Sequence, residues 1–289
     1  MGVIASPSVR KLAADRGVDI DALAARLGRE TIGREDVLGQ TSAGAPAGTA
    51  YWDVDHSEWG PVTEEPLNRM AQVAAANLAA AQALIPAVTH HDSADMTRIE
   101  ATRAALRTEG MNLTALAFHV AVLARCLRLI PRFNASLSSD GKSLILKDYV
   151  HIGIAVDTPQ GLAVPVLRDA DRMRLGEIGA ALRDLAARAR SRKLRPHEMG
   201  GASMTITNLG GIGGEAFTPI INPPEVAILG IARTDIRPVW AGKAFTPTPM
   251  TPLDLSYDHR VINGADAARF METYRGLIAQ PDQLLLAQE

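Results

Sequence analysis

The sequence has few of the features that mark secreted, membrane-spanning or nucleic-acid-binding proteins. Cys126 is the only cysteine among 289 residues, so no disulfide can form within the chain and a reducing compartment is expected. The formal net charge is only −2 and no basic tail stands out, which gives no whole-chain argument for nucleic acid or an anionic membrane as a partner. No secretory signal precedes the first segment with a folding pattern, and a cytoplasmic location is expected.

Long hydrophobic runs are also scarce. The longest, residues 113–130, contains His119, Arg125 and Arg128, which favours a buried core helix over a membrane span. Cys126 lies in the same run, so a buried structural thiol is expected rather than a nucleophile.

Three segments of different composition predict a small domain, a linker and a larger domain. Residues 3–38 predict a small all-helical domain, in which Ser6 followed by Pro7 is typical of a helix N-terminus. Residues 39–62 are rich in Gly, Ala, Pro, Ser and Thr without periodicity, as expected for a flexible linker. Residues 63–289 have the mixed periodicity of one α/β domain.

Within the larger domain, the hydrophobic pattern predicts five helices and six strands. A helical stripe from Met70 to Leu84 ends at Pro86. Further helices are predicted at 97–109, 113–130, 175–193 and 265–278. Strands are predicted at 87–94, 144–156, 162–167, 203–207, 226–231 and 252–257, with a turn at 157–161.

Most of the seven histidines have an ordinary structural explanation. His119 is expected to be a hydrogen-bonded core histidine. His90 and His91 alternate on a strand, so they face opposite sides and cannot easily share a metal; no His, Cys or Asp spacing predicts a metal site. His259 differs because it directly follows an apolar strand, where a rigid scaffold presents side chains to a substrate. A lone histidine is nevertheless more often structural.

The segment around His259 resembles a known signature. From Asp258 the sequence reads DHRVINGA, which is similar to the D-H-R-x-x-D-G signature of the dihydrolipoamide acyltransferases of 2-oxo acid dehydrogenase complexes. The resemblance covers residues 66–289 and includes, in the family's order, PRFNASL from Pro131, VDTP from Val156, TITNLG from Thr205 and PIINPPEVAILG from Pro219. Residues 5–37 resemble the peripheral subunit-binding domain of the same proteins.

The resemblance implies the fold of chloramphenicol acetyltransferase. This is an α/β (α+β) fold with a mixed sheet and flanking helices, and here a small all-α domain precedes it. The resemblance also implies homotrimers, whose active site is a channel between neighbouring subunits that coenzyme A and dihydrolipoamide enter from opposite ends. Relatives join such trimers into larger cores.

The resemblance further implies a role for individual residues. His259 would be the general base, and the Thr207 hydroxyl would stabilise the oxyanion. Asn263 would orient neighbouring groups, while Asp258 and Arg69 would support the loop; a surface arginine is the alternative for Arg69. Thr207 stands where the family usually has serine. Asn263 replaces an aspartate, so a mechanism that needs a carboxylate beside the histidine is not expected.

Partners are implied as well. The retained Arg10 and Lys11 predict docking of dihydrolipoamide dehydrogenase, a 2-oxo acid decarboxylase, or both, on the small domain. Ala25-Arg26-Leu27 replaces the usual Gly-x-Gly loop and Thr31 replaces a common arginine, so the partner choice stays open. No lipoyl-lysine hairpin is visible, so the lipoyl group is expected to come from a domain outside this sequence.

The preferred function is acetyl transfer between dihydrolipoamide and coenzyme A, as in the pyruvate dehydrogenase complex. Segments 213–219 and 263–270 favour the acetyl-transferring branch, whereas Thr207 favours succinyl transfer and a branched-chain acyl group stays open. A non-catalytic scaffold is a further alternative, although such proteins often lose the histidine that this chain retains. A small-molecule acetyltransferase would leave the small domain without a purpose.

Overall fold

Residues 3–15, 18–38 and 54–285 are described by the computed structural model, in which the chain divides into two units, Met1–Pro66 and Leu67–Glu289. Most of the predicted linker, residues 39–53, lies outside the described residues. Its remainder contains a short 3-10 helix at His56–Trp59.

The predicted all-helical domain is confirmed in the described part of residues 3–38, which forms three α-helices: α1 (Pro7–Asp15), α2 (Ile20–Leu27) and α3 (Arg34–Leu38). The Ser6 hydroxyl accepts a hydrogen bond from the Val9 N–H at the start of α1, and the Asp19 carboxylate caps α2. A small apolar core holds the helices together: Val9, Ala13, Leu23, Ala24, Ile32 and Val37.

The larger unit begins with a helix, and most of its strands come in two runs, one before α7 and one after it. Its helices are α4 (Arg69–Leu84), α5 (Thr97–Thr108), α6 (Ala115–Leu129), α7 (Leu175–Arg190), α8 (Gly264–Ile278) and α9 (Asp282–Leu285). Its strands are β1 (Ala87–Asp95), β2 (Ala135–Leu137), β3 (Leu144–Leu146), β4 (Ile152–Ile154), β5 (Val156–Thr158), β6 (Gly161–Ala163), β7 (Val166–Leu167), β8 (Met204–Asn208), β9 (Ala227–Ile231), β10 (Asp235–Trp240) and β11 (Phe245–Asp258).

A mixed seven-stranded sheet organises this unit. The strand order is β1-β11-β9-β8-β4-β7, and β10 forms a hairpin with β11. Strand β8 is parallel to β4 and β9, and the other pairs are antiparallel. Helices α5 to α8 contribute to the hydrophobic core together with the sheet. The predicted mixed sheet with flanking helices is therefore confirmed.

The two faces of the sheet differ in chemistry. The register aligns Ile206, Leu229 and Leu255, which belong to the hydrophobic core and define the core face. Because alternate residues point to opposite sides of a strand, the intervening residues form the other face. We call it the polar face, because several of its side chains are polar although they are buried: Thr205, Asp254, Ser256 and Asp258.

Helix α6 confirms the interpretation of the longest apolar run. The side chain of His119 is 2% exposed, and its Nδ1 lies 2.7 Å from the Tyr274 hydroxyl oxygen. Burial lowers the pKa of His119 to about 4 and raises the pKa of the Cys126 thiol to about 12. Among the described residues, no helix combines the length and the apolar character that a membrane crossing requires.

The strand predicted at 144–156 is wrong in one respect, because the chain forms three separate short strands there. The Asn134 side-chain amide donates hydrogen bonds to the carbonyl oxygens of Lys147 and Tyr149, so the segment between β3 and β4 turns instead of extending. The predicted turn at 157–161 is also shorter, since β5 extends to Thr158 and β6 begins at Gly161.

The β10–β11 hairpin was not predicted. Prolines lack the N–H group that a strand usually donates and are therefore uncommon inside sheets, yet Pro238 lies opposite Pro247 in this hairpin. The hairpin tip is apolar and exposed, with Trp240 58% and Phe245 66% exposed.

Helix α4 has the predicted helical stripe, but its own chain buries little of it. Ala81 is the buried residue of this helix, whereas Val73, Leu78 and Leu84 are exposed. The periodicity predicts the helix correctly and leaves open which surface covers it.

Candidate active site

His259 follows β11 directly and lies on an exposed loop. Its backbone N–H donates a hydrogen bond to the Pro86 carbonyl oxygen at 3.1 Å, which fixes the start of the loop against the chain entering β1. The imidazole lies near the Tyr257 ring, with 5.8 Å between the ring centroids. Tyr257 is buried, whereas His259 is exposed to solvent.

The Asp258 carboxylate shapes the turn that carries the imidazole. It is 3% exposed and accepts hydrogen bonds from the Arg260 backbone N–H at 3.0 Å and the Arg260 Nη2 at 2.7 Å. The backbone N–H groups of Val261 and Ile262 donate to the Asp258 carbonyl oxygen. These contacts join Asp258 to the loop, and its supporting role in the reaction stays a prediction.

The far end of the loop is fixed by burial and by a helix cap. Val261 and Ile262 are buried in the core, and the Arg132 guanidinium donates to the Val261 carbonyl oxygen at 2.9 Å. The Asn263 Oδ1 accepts a hydrogen bond from the Asp266 N–H at 2.9 Å and so caps α8. Because one oxygen suffices for this cap, an asparagine serves here where the signature has an aspartate.

Thr207 lies on the polar face of β8, half-buried, and its hydroxyl forms no hydrogen bond with another described residue. In the register it pairs with Gly230, which pairs with Asp254. His259 is five residues beyond Asp254 along β11, or roughly 16 Å at the rise of a strand. The structure therefore does not bring Thr207 and His259 of one chain together.

Arg69 is the first residue of α4 and is exposed. His259 contacts Pro86, which follows the opposite end of this helix. Since 16 helical residues span about 24 Å, Arg69 cannot reach the His259 loop of its own chain. If Arg69 supports a His259 loop as predicted, that loop must belong to another copy of the chain.

A cavity of about 530 Å³ lies beside the loop. It is lined by Asp258 and Arg260, by α4, by the β2–β3 turn and by residues 222–226. The Glu225 carboxylate at its edge accepts hydrogen bonds from the Thr205 hydroxyl and the Asn222 side-chain amide, both at 2.9 Å. Burial raises the pKa of Glu225 to about 7, so this buried carboxyl is partly protonated near neutral pH.

Sequence reasoning missed a histidine–carboxylate pair on the polar face. The His91 Nδ1 lies 2.5 Å from Asp254 Oδ1, and Asp254 Oδ2 accepts the Phe217 backbone N–H at 3.1 Å. As predicted, His90 and His91 lie on opposite faces of β1. The alternation of apolar and polar residues from Leu253 to Asp258 was the available signal, because it places polar groups on one face of a central strand.

The predicted docking residues lie on α1 of the smaller unit. Arg10 and Lys11 are exposed, and the Arg10 guanidinium donates a hydrogen bond to the Val3 carbonyl oxygen at 2.7 Å. Thr31 is exposed as well.

Family comparison decides what kind of protein contains this loop. The model of the 2-oxoacid dehydrogenases acyltransferase catalytic domain matches residues 60–286. The chain belongs to this acyltransferase family. An e3 binding domain model matches residues 3–38, the segment that forms the three small helices of this acyltransferase chain.

Curated relatives of the acyltransferase extend over nearly all of its sequence. The dihydrolipoyllysine-residue acetyltransferase component of the pyruvate dehydrogenase complex of Pseudomonas aeruginosa is 46% identical over 98% of this chain and 55% of the relative. The component of the same name from Azotobacter vinelandii is 44% identical over 98% of this chain and 47% of the relative. The chain thus spans about half the length of these relatives.

Solved structures agree with the acyltransferase fold. A dihydrolipoamide acetyltransferase structure from Azotobacter vinelandii superposes with a TM-score of 0.78 at 48% identity, covering 81% of this chain and 98% of that one. That structure belongs to an investigation of a serine, a histidine and an asparagine in the catalytic mechanism, the histidine standing 52 positions after the serine and four before the asparagine. A structure of the cubic core of the pyruvate dehydrogenase multienzyme complex superposes equally well, with a TM-score of 0.78.

Proposed function

We propose that the chain transfers an acetyl group between dihydrolipoamide, carried on a lipoyl domain, and coenzyme A, as the core of a pyruvate dehydrogenase complex. The observation that carries this proposal is the rigid loop that presents His259. In addition, Thr207, His259 and Asn263 have the same spacing as the serine, histidine and asparagine named for the Azotobacter vinelandii enzyme.

The chemistry follows from the side chains. A free thiol is mostly protonated near neutral pH, and the neutral His259 imidazole removes its proton as the sulfur attacks the thioester carbonyl carbon. The carbonyl oxygen becomes an oxyanion, which accepts a hydrogen bond from the Thr207 hydroxyl. Collapse of the tetrahedral intermediate breaks the old C–S bond, and the imidazolium returns the proton to the leaving thiolate. No covalent intermediate with the protein is needed.

A site shared between two copies of the chain explains how His259 and Thr207 meet. Within one chain they lie roughly 16 Å apart along the strands, so His259 must act beside the Thr207 of a neighbour. The exposed apolar surfaces of α4 and the hairpin tip support a homotrimer that covers them.

Mixed assemblies test both the residues and the sharing. Alone, His259→Ala is expected to abolish acetyl transfer and Thr207→Ala to lower the rate about 10²–10³-fold, while both assemble normally. Co-expression of the two variants with different tags should restore about a quarter of the sites if subunits mix randomly. A mixed assembly no more active than the Thr207→Ala protein contradicts a shared site, and near-normal activity of His259→Ala contradicts the general base.

Acyl preference is tested by measuring the rates of transfer from acetyl-, succinyl- and isobutyryl-coenzyme A, with free dihydrolipoamide as the acceptor in each assay. The names of the curated relatives support acetyl transfer. A succinyl rate above the acetyl rate would instead support the succinyl-transferring alternative that Thr207 favours. A protein inactive towards all three acyl groups but fully assembled would be a scaffold.

We further propose that residues 3–38 dock dihydrolipoamide dehydrogenase through Arg10 and Lys11. Because Arg10 also bonds Val3, Lys11→Glu is the cleaner variant. Calorimetry should give heat with the wild-type chain and a weaker response with Lys11→Glu, while Lys142→Glu, a matched reversal in the larger unit, binds normally. If binding heat is seen only with the decarboxylase, the decarboxylase is the partner of this domain. If neither enzyme gives binding heat, the docking proposal is refuted.

The cubic core of the solved relative supports association of trimers into a larger shell. Mass measurement in solution distinguishes an isolated trimer from a larger assembly.

A further inference from the structure

Four positions form one row across the polar face. In the register, Thr207 of β8 pairs with Gly230 of β9, Gly230 with Asp254 of β11, and Asp254 with His91 of β1. Residues in register share a face of the sheet, so the oxyanion-stabilising hydroxyl and the His91–Asp254 pair lie on the same side. The proposed reaction uses only the Thr207 end of this row.

Asp254 is the buried centre of the row. Its side chain is 1% exposed, and both of its oxygens are engaged: Oδ1 lies 2.5 Å from the His91 Nδ1, and Oδ2 accepts the Phe217 N–H at 3.1 Å. Hydrogen bonds to a carboxylate are among the strongest in proteins. A buried aspartate is expensive without such partners, so this arrangement fixes the backbone at Phe217 to a central strand.

The Phe217 ring in turn lies on Gly230. A methyl group at Gly230 would come within 2.7 Å of the Phe217 Cζ, so only a hydrogen atom fits beneath the ring. Neighbouring strands are about 4.8 Å apart, which places the ring beside the Thr207 position. The ring therefore borders the space in which the Thr207 hydroxyl meets a thioester.

We propose that Asp254, paired with His91, is a positioning residue for acyl transfer: it holds Phe217 against Gly230 and so forms the wall that places the thioester at the Thr207 hydroxyl. This inference rests on the proposed function. His91, 53% exposed, occupies one carboxylate oxygen and keeps the other directed at the Phe217 N–H.

Two substitutions separate the acceptor atom from the charge. Asp254→Leu removes both acceptor oxygens, and we expect kcat to fall about 10²-fold with a smaller change in the KM for coenzyme A, because misplacement of reacting groups by about 1 Å has that effect. Asp254→Asn retains an acceptor for the Phe217 N–H and should recover most of the rate. Equal losses in both variants, or no loss in either, would overturn the proposal.

A double-mutant cycle tests whether Asp254 acts through Phe217. Phe217→Ala removes the wall, so adding Asp254→Leu to it should cost little more. Losses that multiply would mean that Asp254 affects the reaction by another route. Asp171→Leu is the matched control, since Asp171 is also a buried carboxylate paired with an arginine, Arg128; it should lower stability without changing the kinetics of the folded protein.

Hydrogen exchange at the Phe217 amide provides a readout independent of activity. We expect slow exchange in the wild type and Asp254→Asn, and fast exchange in Asp254→Leu. If the wild type transfers no acyl group, the proposed function fails, while the exchange data still show whether Asp254 holds the Phe217 backbone in place. If the wild type is active but exchange is unchanged in Asp254→Leu, the positioning role alone is refuted.

Discussion

The two faces of the central sheet are made from alternating residues of the same strands, yet they are filled in different ways. On the core face, Ile206, Leu229 and Leu255 pack against the helix layer through contacts that have no preferred direction. On the polar face, Asp254 is buried too but is engaged by directed hydrogen bonds, and the buried Glu225, which precedes β9, accepts a hydrogen bond from Thr205 of this face. Apolar burial stabilises the fold, and directed bonds set the position of groups around the site.

Neighbouring residues of β8 give the strongest test of this division. Ile206→Ala, on the core face, should lower the free energy of unfolding by about 2–5 kcal/mol and retain most of its activity while folded. Thr207→Ala, on the polar face, should change that free energy by no more than about 1 kcal/mol but lower the transfer rate about 10²–10³-fold. Urea denaturation and steady-state kinetics measure both; the same pattern in the two variants would break the division.

Buried titratable groups on the two sides should give opposite pH dependences. The pKa of Glu225 is raised from 4.5 to about 7, so the folded state binds more protons between these values and stability falls as the pH rises. The pKa of His119, in the helix layer, is lowered from 6.5 to about 4, so its contribution to stability is lost as the pH falls through this range. Each contribution is on the order of 3 kcal/mol.

Variants whose new side chain does not titrate separate the two contributions. Relative to wild type, Glu225→Gln should gain unfolding free energy as the pH rises from 4.5 to 7, and His119→Gln should gain it as the pH falls from 6.5 to 4. Urea titrations at several pH values measure these differences. If the unfolding free energies of wild type and Glu225→Gln change with pH in parallel, the pKa of Glu225 does not differ between the folded and unfolded states.

The smallest effect is expected at Asn263, where the sheet passes into α8. Asn263→Ala removes the helix cap and should cost about 1 kcal/mol, whereas Asn263→Asp keeps an acceptor oxygen and should cost little. Denaturation of the two variants measures the difference. An aspartate variant as unstable as the alanine variant would show that capping is not what Asn263 contributes to stability.

Local sequence predicted those parts of the molecule that depend on local physics. The N-cap at Ser6, the end of α4 before Pro86 and the core position of His119 follow from neighbouring residues and periodicity. The motif from Asp258 to Ala265 identified the loop, and the position of Thr207 in the TITNLG segment gave this residue its predicted role.

The remaining features depend on contacts between distant residues. The Phe217–Asp254 bond joins residues 37 apart, and the His91–Asp254 pair joins residues 163 apart, so no local pattern reveals either. The β10–β11 hairpin was missed because its prolines argue against a strand, while the register shows two of them facing each other at an exposed edge. Likewise, the stripe of α4 predicts a helix but not the surface that covers it.

The buried thiol of Cys126 gives this acyltransferase an internal reporter of its own opening. It is the only sulfhydryl in the sequence and is fully inaccessible in α6, where burial disfavours the reactive thiolate. An alkylating reagent can therefore modify the native chain only when the helix layer separates from the sheet. The rate of labelling then measures how often this unit opens, without any engineered probe.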